Sequence, residues 1–382
     1  MSKMRLAIIA GEESADALGA DLVQALRKRG VDVSLFGVGG RHLQAEGLVS
    51  LFDPHDIALM GLIPVLLRLP KLIRRIGETV RAIVAFRPDA LIIVDNPDFT
   101  HRVAARVRAA LPRLPVVNYV CPSVWAWRPQ RAPKMKAYVD RVLCLLPFEP
   151  AELARLGGPP GVYVGHRLIS DAGMQAAQAA QATRQRTNSS PVVLAMPGSR
   201  RSEILGLVER FGRGVEQLAE RIGPFELLMP AVPRLEAELR QRVAGWRVTP
   251  QIITAPADKW AAFGRADAAL AASGTTLLEL ALAGVPAISC YQVDPIMLRV
   301  AERMPMWSAA LPNIIADRVV FDEYYNQMIR PGLMARQLEA LIRDGARRDM
   351  ALAGMAEVRR RMAVERPAGE AAADAVLDVL AK

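Results

Sequence analysis

Residues 268–279 read Ala-Ala-Leu-Ala-Ala-Ser-Gly-Thr-Thr-Leu-Leu-Glu. Ala268–Ala272 is an unbroken apolar run with no polar alternation, as a parallel strand covered on both faces requires. Ser273 and Gly274 turn the chain, and a helix begins at about Thr275. Strand, tight small-residue turn and helix together are the repeating piece of an open α/β sheet. Free N–H groups and the helix dipole at Ser273, Gly274, Thr275 and Thr276 make an anion site suited to a diphosphate. Glu279, about one turn further, can accept hydrogen bonds from ribose hydroxyls. An ordinary helix start with an incidental glutamate accounts for the same residues equally well.

The same punctuation recurs outward from this stretch. Val192–Met196, Glu226–Met229, Thr249–Thr254 and Pro286–Tyr291 read as its neighbouring strands. After the first of them comes Met196-Pro-Gly-Ser-Arg-Arg-Ser-Glu203, where Gly198 permits close backbone approach and Ser199 can cap the next helix. Arg200 offers a planar fork of donors to phosphate, although Arg201 with Glu203 also reads as a solvated face. Upstream, Leu6–Ala10 is a strand, and a helix over Asp16–Arg29 places Leu18, Leu22 and Leu26 on one side until Gly30 stops it. Val33–Phe36, Ala90–Val94, Val116–Val120, Val142–Leu146 and Val162–Val164 continue the alternation. This order predicts right-handed crossovers and two doubly wound parallel sheets facing a cleft. Residues 172–190 are rich in Ala, Gln, Thr and Ser, which sets domains at 1–170 and 171–382, the last helices being able to return to the first domain.

The chain has 382 residues, 52% of them hydrophobic, with a formal net charge of +10. Cys121, Cys144 and Cys290 are scattered without metal-ligand spacing and read as reduced, buried thiols. The longest apolar stretch, Ile57–Leu67, stops at Arg68, well short of the roughly 18 residues that span a bilayer. No export signal follows the short apolar run at the start, so a cytoplasmic location is expected. Between Arg68 and Arg87 six basic residues (Arg68, Lys71, Arg74, Arg75, Arg81, Arg87) face Glu78 alone. Leu62–Val84 has helical apolar spacing with these bases mainly opposite, and Pro70 is expected to kink or restart the helix. Such a segment suits an anionic membrane surface, with Leu66, Arg68, Lys71, Arg74 and Arg75 at the contact, although an ordinary core-facing helix with a solvated basic side is the commoner origin of this pattern.

Two further loops carry chemistry. Leu91–Val94 runs into Asp95-Asn-Pro-Asp-Phe-Thr100, where Asp98 is placed to take a proton from a sugar hydroxyl or, by its type, to cap the following helix. Pro122-Ser-Val-Trp-Ala-Trp-Arg128 sets Trp125 and Trp127 beside Arg128, a combination suited to sugar stacking and phosphate contact, while packing under the interdomain hinge accounts for each tryptophan equally well. There is no Asp-x-Asp triplet, no Walker A loop and no ligand spacing among the four histidines, so no metal or other cofactor is expected.

These stretches together, in order from about residue 5 to residue 330, resemble the lipid-A-disaccharide synthases. The resemblance rests on Gly11-Glu-Glu-Ser-Ala-Asp16, Gly37–Gly40, Met60-Gly61, Pro97–Thr100, Pro122–Arg128, Leu146-Pro-Phe-Glu149 and Gly165-His166. It continues through Pro197–Arg200 with Glu203, Ser273–Thr275 with Glu279, and Leu311-Pro-Asn313. It implies the two-domain GT-B arrangement and transfer of a sugar from UDP-2,3-diacylglucosamine to the 6-hydroxyl of 2,3-diacylglucosamine 1-phosphate, with inversion and release of UDP. It further implies Asp98 as catalytic base. Ser199, Arg200, Glu203, Ser273, Gly274, Thr275, Thr276, Glu279 and Asn313 fall on the UDP-sugar side; Glu12, Ser14, Asp16, Trp125, Trp127 and Arg128 fall on the acceptor side. The implied partners are these two lipids and the inner face of the cytoplasmic membrane, with no nucleic acid. Departures are Ala15 for a common glycine, Pro64 for a common glutamate, and Arg167 after Gly165-His166. A UDP-sugar 2-epimerase built on the same sheet pair is the alternative enzyme, and a non-catalytic module binding RNA or membrane through Arg68–Arg87 is the alternative outside catalysis.

Overall fold

The computed structural model describes residues 3–57, 62–185, 190–293 and 306–381, with side chains in the third helix from residue 69 onward. Two compact units divide it: Met1–Arg167 together with Val364–Lys382, and Leu168–Ala363.

In the first unit six strands run parallel: β1 (Met4–Ala10), β2 (Val33–Val38), β3 (Ala90–Val94), β4 (Val116–Tyr119), β5 (Arg141–Cys144) and β6 (Gly161–Tyr163). Their spatial order is β2-β1-β3-β4-β5-β6. The unbroken apolar character of β1 now has its reason. Leu6, Ile8 and Ala10 point into one packed layer, Ala7 and Ile9 into the other, and all five are fully buried. Helices α1 (Glu13–Lys28), α2 (Arg41–Ala45), α3 (Leu62–Phe86), α4 (Pro97–Ala110) and α5 (Arg131–Met135) cover the sheet. The C-terminal helix Ala368–Leu380 packs against α1, and Asp374 accepts a 2.6 Å bond from Arg29 there.

The second unit is a second six-stranded parallel sheet of β7 (Val192–Met196), β8 (Glu226–Pro230), β9 (Gln251–Ile253), β10 (Ala268–Ala272), β11 (Ala287–Tyr291) and β12 (Asp322–Tyr325). The order β12-β11-β10-β7-β8-β9 is the 3-2-1-4-5-6 of a dinucleotide-binding fold. The two sheets confirm the doubly wound reading. β12 escaped the sequence reading because Asp-Glu-Tyr-Tyr has no apolar run; it is an edge strand, paired on one side with β11.

Two stretches that the sequence left open take a definite form. Ala172–Thr183, at the domain boundary, is a helix, and its small side chains allow close packing: a Cβ on Gly264 would stand 3.0 Å from that of Ala180. The third helix runs from Leu62 to Phe86 through Pro70 without restarting. No described helix is long and apolar enough to cross a membrane.

Candidate functional site

In an open parallel sheet a ligand crevice opens at the carboxyl ends of the strands, where the strand order reverses. In the first unit that point lies between β1 and β3, and the loop after β3 delivers Asp98. Asp95 and Asn96 both adopt the left-handed conformation (φ 52° and 47°), a turn that Asn and Asp tolerate better than other side-chain-bearing residues. The Thr100 hydroxyl donates to the carbonyls of both, at 2.8 and 3.0 Å, and Asn96 Nδ2 donates to Ile57 O at 2.8 Å. Burial raises the Asp95 carboxyl above its ordinary pKa. Pro97 then opens α4 in the position where a missing N–H costs nothing.

Asp98 is not the helix cap. Asn96 holds that position, and the Asp98 carboxylate, 69% exposed, turns to two arginines. Arg131 Nη2 donates to its Oδ1 at 2.8 Å and Arg128 Nη1 lies 3.9 Å away. A hollow of about 360 Å³ opens here, bounded among others by Asp98, His101, Arg102, Arg128, Arg131 and Lys134. Arg128 reaches it from a left-handed residue (φ 55°), and its guanidinium lies 5.3 Å from the ring of Trp127, which is 44% exposed.

What holds this loop was missed from the sequence. Glu149, 4% exposed, accepts from Trp125 Nε1 at 3.4 Å and from the Leu146 N–H at 3.0 Å, and Phe148 stands edge-on to Trp125 at 5.0 Å. Trp125 is therefore a brace for the loop, while Trp127 is the free platform. Burial pushes the Glu149 carboxyl up to about 7. The available signal was an acid immediately after the apolar Leu146-Pro-Phe148, a place where an unpaired charge would be expensive. Cys121 and Cys144 approach Glu149 so that ligand atoms of all three lie within 4.8 Å, a cluster invisible in sequence spacing; all three cysteines are buried.

Three acceptor-side candidates lie near the end of β1. Glu12 occupies the cap position of α1 without a side-chain capping bond, and Ser14 is exposed. Asp16 is corrected. It is 2% exposed, and its oxygens accept the N–H groups of Gly40 at 2.6 Å and His42 at 2.8 Å, bracing the start of α2.

In the second unit the order reverses between β7 and β10, and the loops after both meet there. A hollow of about 440 Å³ is bounded by Gly198, Ser199, Lys259, Thr275, Thr276 and Glu279 among others. The two helix starts differ. Before the Arg201–Ile222 helix, Glu203 turns back and its Oε2 accepts the N–H groups of Ser199 at 2.9 Å and Arg200 at 3.2 Å. Arg200, not Ser199, is the cap residue, and its Nη1 donates to Glu203 Oε1 at 3.1 Å. Glu203 thus fills the anion position itself. Gly198 at φ 118° leaves room for it. Before the Thr275–Ala283 helix, Gly274 sits at φ 123° and no side chain caps the N–H groups. Ser273 precedes it, half-buried. Glu279 accepts from Lys259 Nζ at 2.7 Å on the wall of the hollow.

Asn313 is also corrected, since it is 1% exposed and its amide is fully engaged inside the unit. Its Nδ2 donates to Phe321 O at 2.9 Å, and its Oδ1 accepts the Val320 and Phe321 N–H groups at 2.8 and 2.9 Å.

Of the basic segment, Leu66 and Arg68 lie outside the described side chains, as does most of Ile57–Leu67. Lys71 and Arg75 are not free: both donate to Asp56, at 2.5 and 2.7 Å, and Arg75 also pairs with Glu78 at 2.8 Å. Arg74 and Arg81 are exposed.

Among solved structures, MurG of Acinetobacter baumannii has a similar fold, with a TM-score of 0.60 at 16% identity over 100% of this chain and 99% of that one. The UDP complex of MnaA from S. aureus matches with a TM-score of 0.60 at 14% identity, covering 100% and 98%. These likenesses show the GT-B fold. Curated relatives are far nearer in sequence. The lipid-A-disaccharide synthase of Bradyrhizobium diazoefficiens is 44% identical over 100% of this chain and 97% of its own length. That of Nitrobacter hamburgensis is 44% identical over 99% and 96%. Residues 6–375 match the family model described as lipid-A-disaccharide synthetase, and the chain belongs to that family of glycosyltransferases.

Proposed function

We propose that the chain transfers 2,3-diacylglucosamine from its UDP ester to the 6-hydroxyl of 2,3-diacylglucosamine 1-phosphate, with inversion. The observation that carries this reading is the carboxylate of Asp98, which leaves the switch point of its sheet exposed and oriented by Arg131 at 2.8 Å. Inversion needs one in-line displacement: a base removes the hydroxyl proton as the oxygen attacks the anomeric carbon, and UDP departs. Asp98 takes that proton. Negative charge developing on UDP is met by the uncapped N–H groups and dipole at Thr275 and Thr276, with Arg200 as a charged donor. Glu279 accepts from the ribose hydroxyls, and its bond to Lys259 holds the carboxylate in place. Trp127 offers a face to the acceptor sugar.

The acylated substrates call for reversible contact with an anionic membrane surface. Arg74 and Arg81 supply its charge, because Lys71 and Arg75 are neutralised by Asp56 and Glu78. The deciding experiment measures UDP release with both diacylated substrates, with and without chelator. Release that requires the acceptor and ignores EDTA is expected. Release that magnesium must restore would overturn the metal-free mechanism, and conversion of UDP-N-acetylglucosamine alone would favour a 2-epimerase.

A further inference from the structure

The hollow around Asp98 has two storeys. On α4, Arg102 stands four residues after Asp98; on α5, Lys134 stands three residues after Arg131; both spacings return a side chain to the same helix face. All four line one hollow of about 360 Å³. In the near storey one carboxylate faces two guanidinium groups, Asp98 binding Arg131 at 2.8 Å with Arg128 at 3.9 Å, so part of the positive charge is offset. In the far storey none of it is. Both residues are exposed, and the Arg102 and Lys134 side chains have no hydrogen bond or ion pair with any described residue. Two uncompensated cations on a concave wall, one a planar fork and one a point charge, match a compact dianion better than an extended polyanion.

We propose that Arg102 and Lys134 bind the phosphate monoester of the acceptor, one storey from the base that receives its hydroxyl. This rests on the transfer reading above and adds to it the residues that select a phosphorylated acceptor. The spacing supports it. One helical turn advances about 5.4 Å, and a pyranose with phosphate on C1 and a free hydroxyl on C6 carries the two on separate arms at comparable separation. Phosphate held at the far storey therefore leaves the hydroxyl at Asp98 rather than at the arginines. It also gives Arg131, three residues before Lys134 on α5, a second anion to share, which loosens its hold on the base as the acceptor arrives.

The test compares two acceptors, diacylglucosamine 1-phosphate and the same molecule without phosphate, in a UDP-release assay. Arg102→Ala and Lys134→Ala should each raise KM for the phosphorylated acceptor about tenfold, the worth of one charge-assisted contact at a partly solvated site. KM for the donor, affinity for UDP and all constants for the phosphate-free acceptor should stay put, and Arg102→Lys should recover part of the loss. Because both side chains are exposed, the variants should melt with wild type. An equal effect on the two acceptors, or an unchanged KM, removes the phosphate site while leaving the transferase standing. Wild-type protein that releases no UDP with either acceptor removes both.

Discussion

The hollows of the two units both open beside strand carboxyl ends, the second where its order reverses between β7 and β10 and the first between α4 and α5, beyond β3 and β4, and they are made of different material. The first is built from long charged side chains around Asp98, two of which lean on its carboxylate. The second is bounded by Gly198 at φ 118°, by the uncapped start of the Thr275–Ala283 helix, and by side chains such as Val232, Ile253, Trp260 and the Lys259–Glu279 pair. A side-chain site can be tuned one charge at a time and can move a proton. The N–H groups at a helix start cannot be tuned that way, but they are rigid and always charged the right way for a leaving diphosphate. The buried groups differ likewise. Glu149 at about 7, and His101 and His166 lowered to about 4, belong to the first unit, while in the second burial pushes the Cys290 thiol up to about 12.

The largest effect should come from breaking the first hollow alone. Asp98→Ala should lower the transfer rate by roughly 10²–10⁴ while leaving UDP affinity intact, as loss of a general base demands. Steady-state rates beside UDP titration decide it; a variant keeping more than about a tenth of the wild-type rate would reduce Asp98 to a partner for Arg131.

A second test uses the buried acid. Glu149 keeps its proton to about 7 when folded but loses it near 4.5 when unfolded, so the folded state binds more protons between these values. Its contribution to stability therefore falls as pH rises from 4.5 to 7, by about 3 kcal/mol at most. Burial of His101 and His166 acts in the opposite sense from 4 to 6.5. The difference between wild type and Glu149→Gln isolates the acid. Urea unfolding across this range should show wild type losing ground to the variant as pH rises, and a constant difference would mean that Glu149 is ionised in the fold.

Smaller, and confined to the second unit, is Gly274→Ala. No atom lies within 4 Å of the added Cβ, so only backbone strain at φ 123° acts, about 1–3 kcal/mol. UDP affinity should fall about tenfold with acceptor KM untouched. Loss of acceptor binding instead would erase the division of labour between the hollows.

The smallest effect is at the surface of neither hollow. Arg74→Glu should weaken sedimentation with anionic vesicles by about 1–2 kcal/mol, since one cation is lost and one anion gained, and less in high salt. Arg75→Glu should instead lower stability, because its guanidinium bridges Asp56 and Glu78 and lies 4.4 Å from the Phe52 ring. Equal vesicle binding by wild type and Arg74→Glu would show the basic face to be merely solvated.

The strands were legible in the sequence because a parallel strand buried on both faces leaves a short apolar run, closed here by glycine and other turn residues. β7 and β10 stand where their runs stand, Val192–Met196 and Ala268–Ala272. β12 was not, since an edge strand needs no such run. The glycine turns, the loop carrying Asp98 and the tryptophan pair were equally visible, for turn chemistry and aromatic clustering are local properties. What each polar side chain does was not local. Asp16, Asn313 and Glu203 read as ligand-binding residues, yet their oxygens accept N–H groups at sequence distances of 24, 8 and 4 residues. Trp125 and Trp127 look alike in sequence, and only the buried Glu149, 24 residues on, separates brace from platform. Burial pattern and turn type are written along the chain. Which polar groups are consumed in satisfying buried backbone, and which are left for a ligand, depends on what folding brings beside them, and that only the tertiary structure decided.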